Sequence, residues 1–236
     1  MTIRFEPLAE RHIHDATMLA LTAYADERER VPALAAEGVS TVLGRAVADL
    51  IQRGTGVAAF DGDRLEGYLA FFGPIDGFWN SAPGCFTPLH GMAVSGNARS
   101  RLTSLLFQHE AEPMVAKGVE IFSISTYRHD DEVAEALTLG GFGIRLADAI
   151  RMVDPPLGVA PVPGIAMREI GWRDAGSLLP LFNGLVRHLR GSPVFVGIDS
   201  EYSERQFAEL RERRQSRFFV ASDGETPVGY LEVTGD

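Results

Sequence analysis

Two short runs of ionisable residues are the first places where chemistry could reside. His12 and His14 stand two positions apart beside Asp15, and Arg128-His129-Asp130-Asp131-Glu132 forms a charge cluster. Imidazoles and carboxylates are common zinc ligands. Residues i and i+2 diverge on a helix, so His12 and His14 meet on one metal only from a strand or loop. The competing reading is a solvated N-terminal turn. In the second run Asp130 and Asp131 suit a helix start, where carboxylates accept from unpaired N–H groups. Capping therefore competes with metal there, and no metal site is assigned to either run. Arg211, Arg213, Arg214 and Arg217 interleave with Glu209 and Glu212. They read as a solvated helix face, with an intramolecular or dimer contact as the sharper alternative. No G-x-S-x-G, Walker-type or H-E-x-x-H pattern occurs. Phe78, Trp79 and Phe86 sit in a Gly/Pro-rich loop. Loops carry specificity more often than cores do, so they are predicted to line an acceptor pocket. The alternative is a lid over the apolar core.

The elements that must position these residues show a repeat. FDGDRLEGYLAF from Phe60 and SDGETPVGYLEV from Ser222 share D-G-x-x-x-x-G-Y-L at an offset of 162 residues. Each reads as a β-hairpin whose turn is the Asp-Gly pair. The apolar run from Ile3 and that from Ile165 lie at the same offset, and both lead into apolar helical stretches. Each copy is thus expected to run strand, helix, helix, strand, hairpin, strand. Residues 1–153 form the first domain, 154–163 a Pro/Gly linker, and 164–236 a partial second domain.

After its hairpin the first copy continues. HGMAV reads as a strand, and RSRLTSLLFQHEAEPMVAKG as a helix that Pro113 kinks or ends. VEIFSIST is a strand, VAEALTL a helix capped by Asp130-Asp131, and AIRMV (149–153) a closing strand. The second copy stops after its hairpin. An open edge of this kind is a poor stand-alone unit. It is expected to be truncated, covered by the first domain, or paired with another chain, a homodimer through the edge after Val233 included.

Composition narrows the function. The chain has 236 residues, 45% hydrophobic and 23% charged, with a net charge of −10. An acidic balance argues against nucleic acid and anionic lipid as partners. The single cysteine, Cys85, excludes a disulfide framework within the chain. With no apolar leader segment visible, the cytoplasm is the expected location.

Asp61–Leu69, Gly84-Cys85-Phe86-Thr87-Pro88-Leu89-His90-Gly91 and Leu139-Gly140-Gly141-Phe142-Gly143, in this order, resemble the GNAT N-acetyltransferase superfamily, in particular its two-copy members. The resemblance implies an α/β (α+β) fold: a mixed, mostly antiparallel central sheet flanked by helices, duplicated, with the second copy partial. It implies acetyl-CoA as cosubstrate and transfer of its acetyl group to a primary amine of a small molecule or peptide by direct attack. A non-catalytic acyl-CoA or ligand-binding module, or a degenerate scaffold, is the alternative. The pyrophosphate is expected on main-chain N–H groups where a loop opens a helix. Cofactor contacts then fall on Met92, Ala93, Val94, Arg99, Ser100, Arg101, Leu102, Thr103 and Ser104, with Asp130 at the next helix start. Val94 and Arg99 match the family pattern. Leu102 replaces its glycine and is expected to crowd the pyrophosphate. Leu137 stands where many members place a proton-donating tyrosine. His90 takes the place of the family's general base on the central strand; a neutral imidazole suits that work. Its alternative role is structural, beneath the Trp79–Pro88 loop.

Overall fold

The computed structural model of the protein describes residues 3–150, 152, 158, 160–191 and 200–234. The chain divides into two compact units: one of residues 1–78 and 82–152, the other of residues 153–236 together with 79–81. The first begins with β1 (Ile3–Pro7), α1 (Ile13–Arg30), α2 (Val39–Arg53), β2 (Thr55–Asp61) and β3 (Arg64–Ile75). It continues with β4 (Gly84–Thr87), β5 (Met92–Val94), α3 (Arg99–Ala116), β6 (Ile121–Ile124) and α4 (Asp131–Leu139). The second contains β7 (Ile165–Gly171), α5 (Leu179–Arg190), α6 (Glu204–Arg214), β8 (Arg217–Asp223) and β9 (Thr226–Val233).

The first sheet runs β1-β2-β3-β4-β6, with β5 also on β3. All its pairs are antiparallel except β4 with β6, which is parallel. Successive strand side chains alternate between faces, and the two faces carry separate cores. On one, Val57, Ala59, Leu69 and Phe71 pack beneath Leu102, Leu106 and Met114 of α3. On the other, Ala58, Phe60 and Tyr68 meet Ala16 and Ala20 of α1 and Val47 of α2. The fold is thus a mixed sheet between helices, as the resemblance implies.

The hairpins form where the Asp-Gly pairs place them. Gly62 (φ 60°) and Gly224 (φ 58°) take the left-handed backbone that such turns require. The first ladder pairs Ile3 with Asp61 and the second Ile165 with Asp223. The register break at Ala59/Phe60 recurs at Ala221/Ser222. The two three-stranded ladders therefore share one register, bulge included.

Of the two outcomes expected at Pro113, an end of the helix does not occur: α3 continues through it to Ala116. The proline falls in the last turn, where one ladder bond is at stake, and the following residue, Met114, is fully buried and holds that turn on the core. A second expectation, the closing strand at 149–153, fails among the described residues: 149, 150 and 152 are irregular, and 151 and 153 lie outside the described set. Ile150 and Met152 are exposed, so no sheet face holds them. Much of the expected linker also lies outside the described residues.

Glu110 is the charged exception in the α3 core. It is buried, and Thr55 Oγ1 donates to its Oε1 at 2.5 Å. Burial pushes its carboxyl above the ordinary 4.5, with the Thr55 hydroxyl opposing. A carboxyl raised in the folded state opposes folding where it is ionised, and this cost disappears as pH falls through the folded value to below 4.5. Glu110→Gln should therefore raise the melting temperature at pH 7.5 by about 2–4 °C, the effect of ~1 kcal/mol in a chain of this size. The gain should vanish near pH 4. Thermal unfolding at both pH values checks this.

Candidate active site

The strand that leaves Gly84 does not stay in one ladder. β4 pairs with β3 at Phe72 and Ile75 and with β6 through Gly84–Thr87. Then Leu89–Gly91 form a 3-10 turn, and β5 resumes on β3 alone, at Gly67–Leu69. The break frees backbone groups, and buried groups need partners. Tyr68, fully buried, donates its phenol to the His90 carbonyl at 2.7 Å. Thr87 Oγ1 donates to the Ala70 carbonyl at 2.8 Å. Gly91 is needed for packing: a Cβ there would lie 2.9 Å from Leu50 and Thr87 side-chain atoms.

Past the break, β5 and the continuation of β6 no longer touch as strands. Just before the break, Ser125 N–H, after β6, still donates to the Thr87 carbonyl of β4 at 2.9 Å. A small cavity of about 20 Å³ lies beyond, room for roughly one water. Met92, Ala93 and Val94 form one wall, and Thr126, Tyr127 and Asp130 belong to the other. Ala23 of α1 and Arg99 of α3 also line it.

The mouth is electrostatically mixed. α3 opens at Ala98 with no side-chain cap and no acidic residue in its first turn. The first turn of a helix leaves N–H groups without intrahelical partners, at the positive end of its dipole. Arg99 and Arg101 add positive charge there. Against this, Arg99 is ion-paired with Asp130, which also caps α4 by accepting from Val133 N–H at 3.3 Å. The pair ties α3 to α4 beside the cavity. Behind the loop, Glu66 is 1% exposed. It is the extra residue of the β3 bulge, facing no partner between the Phe60–Leu65 and Ala59–Gly67 pairs, and bulges re-aim side chains. It accepts from Ser95 Oγ at 2.5 Å and is ion-paired with Arg64.

Of the residues read from the sequence, Met92, Ala93, Val94, Arg99 and Asp130 come together in the cavity wall. Ser100 and Arg101 stand in the first turn of α3. Thr103 is buried, and Ser104 Oγ donates to the Ser100 carbonyl at 3.1 Å. Leu102, expected to crowd a pyrophosphate, is 5% exposed and its side chain belongs to the main core. A Cβ on Gly67 would meet Val94 Cγ1 at 2.9 Å, the Ala93 carbonyl at 3.1 Å and Leu102 Cδ2 at 3.2 Å, so β5 and Leu102 together fill the space above that glycine.

His90 does not line the cavity. Burial lowers its pKa from 6.5, and the nearby Asp49 of α2 opposes the shift. The aromatic trio does not line it either. The Phe78 ring lies against Gly84, where a Cβ would meet Phe78 Cδ1 at 2.3 Å, and Phe86 pairs with Phe72 in the ladder. Trp79 stands in a 3-10 turn at φ 56°. His12 is buried, with Nδ1 accepting from Ala9 N–H at 3.2 Å and Nε2 3.0 Å from Glu6. Among the described residues no group of three or more His, Cys, Asp and Glu is placed to hold a metal. No helix among them is long and apolar enough to cross a membrane.

Sequence reasoning missed a second cluster at the same opening. His129 Nδ1 lies 2.5 Å from Glu27 Oε2 of α1, and both side chains are largely buried. Its Nε2 is buried without a protein partner. The ring stacks on Tyr127, centroids 6.0 Å apart. Burial, with Tyr24 and Glu27 nearby, pushes the Tyr127 phenol up to about 12. The Arg128–Glu132 run reads as a cap, and nothing local points to a carboxylate about a hundred positions earlier.

Comparison with solved structures finds likenesses to acetyltransferases. The ribosomal-protein-alanine N-acetyltransferase from Brucella melitensis biovar Abortus 2308 is 10% identical, with a TM-score of 0.46, over 65% of this chain and all (100%) of that one. The aminoglycoside N-acetyltransferase AAC(6')-Iy in complex with CoA is 12% identical, with a TM-score of 0.45, over 67% of this chain and 96% of that one. No protein-family model and no curated protein matches the chain.

The position of Leu102 has a measurable consequence. Leu102→Ala should lower the unfolding free energy by about 2–4 kcal/mol, as for a leucine in a close-packed core. Urea unfolding checks it; a change below about 0.5 kcal/mol would place the side chain at the surface.

Proposed function

We propose that the first unit is an acyl-CoA-dependent N-acetyltransferase, with its site in the opening between β5 and the loop after β6. The observation that carries this reading is the parted parallel pair with the uncapped start of α3 at its mouth. Helix starts of this kind favour phosphate oxygens, and Arg99 and Arg101 suit a diphosphate. The opening itself is narrow. Admission of a pantetheine arm requires the Arg99–Asp130 pair to part.

Acetyl-CoA supplies a thioester whose carbonyl carbon a primary amine attacks directly. The chain's groups fit the protons and charges of that exchange. β5 pairs only with β3, so its other edge offers main-chain groups to a carbonyl oxygen. Tyr127, its phenol pushed up to about 12, keeps its proton at working pH and can stabilise a departing thiolate by donating a hydrogen bond to it, with solvent delivering the final proton. For the base, the reading moves from His90 to His129, which like His90 does not line the cavity and stands beside its Tyr127 wall. Glu27 accepts from Nδ1–H, which leaves the Nε2 lone pair to take the amine proton through one bridging water. Small-molecule and peptide amines remain the proposed acceptor class.

The shared register and bulge support a further reading of the second unit as a partial copy of the first, joined through 154–163. One observation weighs against tight cofactor binding and so favours the degenerate-scaffold alternative. The Glu66 carboxylate lies behind the loop that would face the diphosphate, where like charge weakens anion binding.

Calorimetric titration with acetyl-CoA, beside thiol release with a panel of primary amines, tests these readings. Arg99→Ala should weaken binding by roughly 10–100-fold, the scale of a lost charge-assisted hydrogen bond. Asp130→Asn keeps a capping side chain and frees Arg99, so it should tighten binding by about 3–10-fold. Tyr127→Phe should leave binding in place and slow thiol release by ~100-fold. Binding without thiol release would favour the module; absence of both would overturn the reading.

A further inference from the structure

The two ladders share one register, so each position of the second has a counterpart 162 residues earlier. In the first unit the hairpin end of the sheet is filled. Phe60 is 6% exposed there, opposite Arg4 in the ladder. The Arg4 guanidinium lies over its ring at 4.8 Å, and the His12 ring is 5.3 Å away. Glu6, on the same strand as Arg4, is ion-paired with Arg4, Arg11 and His12. The ring and the charges around it satisfy one another.

At the same place in the second unit these residues change. Ser222 stands for Phe60, Ala166 for Arg4, Arg168 for Glu6 and Glu225 for Asp63. Ser222 pairs with Ala166 in the ladder. On this face the core of the unit ends at Val220, two residues before Ser222. Beyond it, where the first unit has its ring, lies a cavity of about 390 Å³ lined by Ala166, Arg168, Ser222, Gly224 and Glu225. That is within the ~300–1,000 Å³ of small-molecule sites.

Three side chains of this cavity are without partners. Ser222 is 5% exposed, and its Oγ is buried with no hydrogen-bond partner among the described residues. Arg168 and Glu225 are exposed, and neither side chain has an ion pair or hydrogen bond among the described residues. A guanidinium offers a planar fork to a carboxylate, and a carboxylate suits an ammonium. A simple anion would satisfy Arg168 and be repelled by Glu225; a simple cation would do the reverse. A molecule carrying both charges satisfies both. A polar group between its ends then meets the buried hydroxyl, whose lack of a partner is otherwise costly.

We infer that the hairpin end of β7–β8 is a binding site for a small zwitterion of dipeptide size, with its carboxylate on Arg168, its ammonium on Glu225 and its amide at Ser222 Oγ. The inference does not rest on the acetyltransferase reading.

The probe is the dipeptide alanylalanine, titrated into the isotope-labelled full chain and followed through backbone amide signals. Saturable shifts should appear at residues 166–168 and 222–225. Arg168→Gln should weaken dipeptide binding about fivefold or more, the scale of a charge-assisted pair at a partly open site. It should leave binding of the C-terminally amidated dipeptide unchanged. Glu225→Gln should weaken the free dipeptide to a similar degree and leave its N-acetyl form unchanged. Both residues are exposed, so neither variant disturbs the core. Ser222→Phe supplies the ring found at Phe60 and should abolish the shifts; circular dichroism verifies its fold. No saturable shifts in these two segments would overturn the inference. So would equal affinity for the free, amidated and acetylated dipeptides, or binding that persists in folded Ser222→Phe. Weakening by amidation alone would make the site one for simple anions and overturn it as well.

Discussion

The hydrogen bond from the Tyr68 phenol to the His90 carbonyl holds the point on which the first unit turns. A continuous strand from Gly84 to Val94 would lie beside β6 along its whole length and leave no opening. The turn at Leu89–Gly91 instead moves the chain from one partner to another. Such a turn inside a core is unfavourable unless its freed backbone groups are satisfied. Tyr68 and Thr87 satisfy two sites there, and Gly91 lets the turn lie against Leu50 and Thr87. The cavity, the edge of β5 that has no strand partner among the described residues, and the approach of α3 all follow from that break.

What surrounds the opening is balanced between attraction and exclusion. The start of α3 and its two arginines attract an anion. Asp130 holds one of those arginines, and Glu66 stands behind the loop. On the proposed reading, the Arg99–Asp130 pair is the switch between a closed slot and an anion site. Across the opening, Glu27 orients His129, and His129 supports the Tyr127 ring from behind. These residues come from α1 and the loop before α4, so the proposed chemistry would depend on both helical layers meeting at one end of the sheet.

The sequence made the sheets legible and the site only half so. The Asp-Gly pairs and the constant offset carry the hairpins, and the register follows to the residue, because a one-residue slip would turn every apolar side chain outward. The residues of β5, with Arg99 and Asp130, were readable because a strand, loop and helix start are local patterns. His90 drew attention through its imidazole, yet the structure uses its carbonyl, which every residue type possesses. Leu102 read as an obstruction to ligand. Its apolar spacing with Leu106 already placed it on the buried side of α3, and Gly67, far away in sequence, makes the hollow that it and β5 fill. The Glu27–His129 pair was invisible for the same reason: only tertiary packing brings them together. The run at 149–153 has strand composition, yet its described residues 149, 150 and 152 are irregular and Ile150 and Met152 are exposed, so composition misled there.

The account rests on the opening beyond the break being the place where ligand binds. The most direct test is a titration of the isotope-labelled chain with CoA, followed through its backbone amide signals. The account predicts saturable shifts confined to residues 92–101 and 126–131, on both walls of the opening. Saturable shifts elsewhere, or none in these two segments, would contradict it.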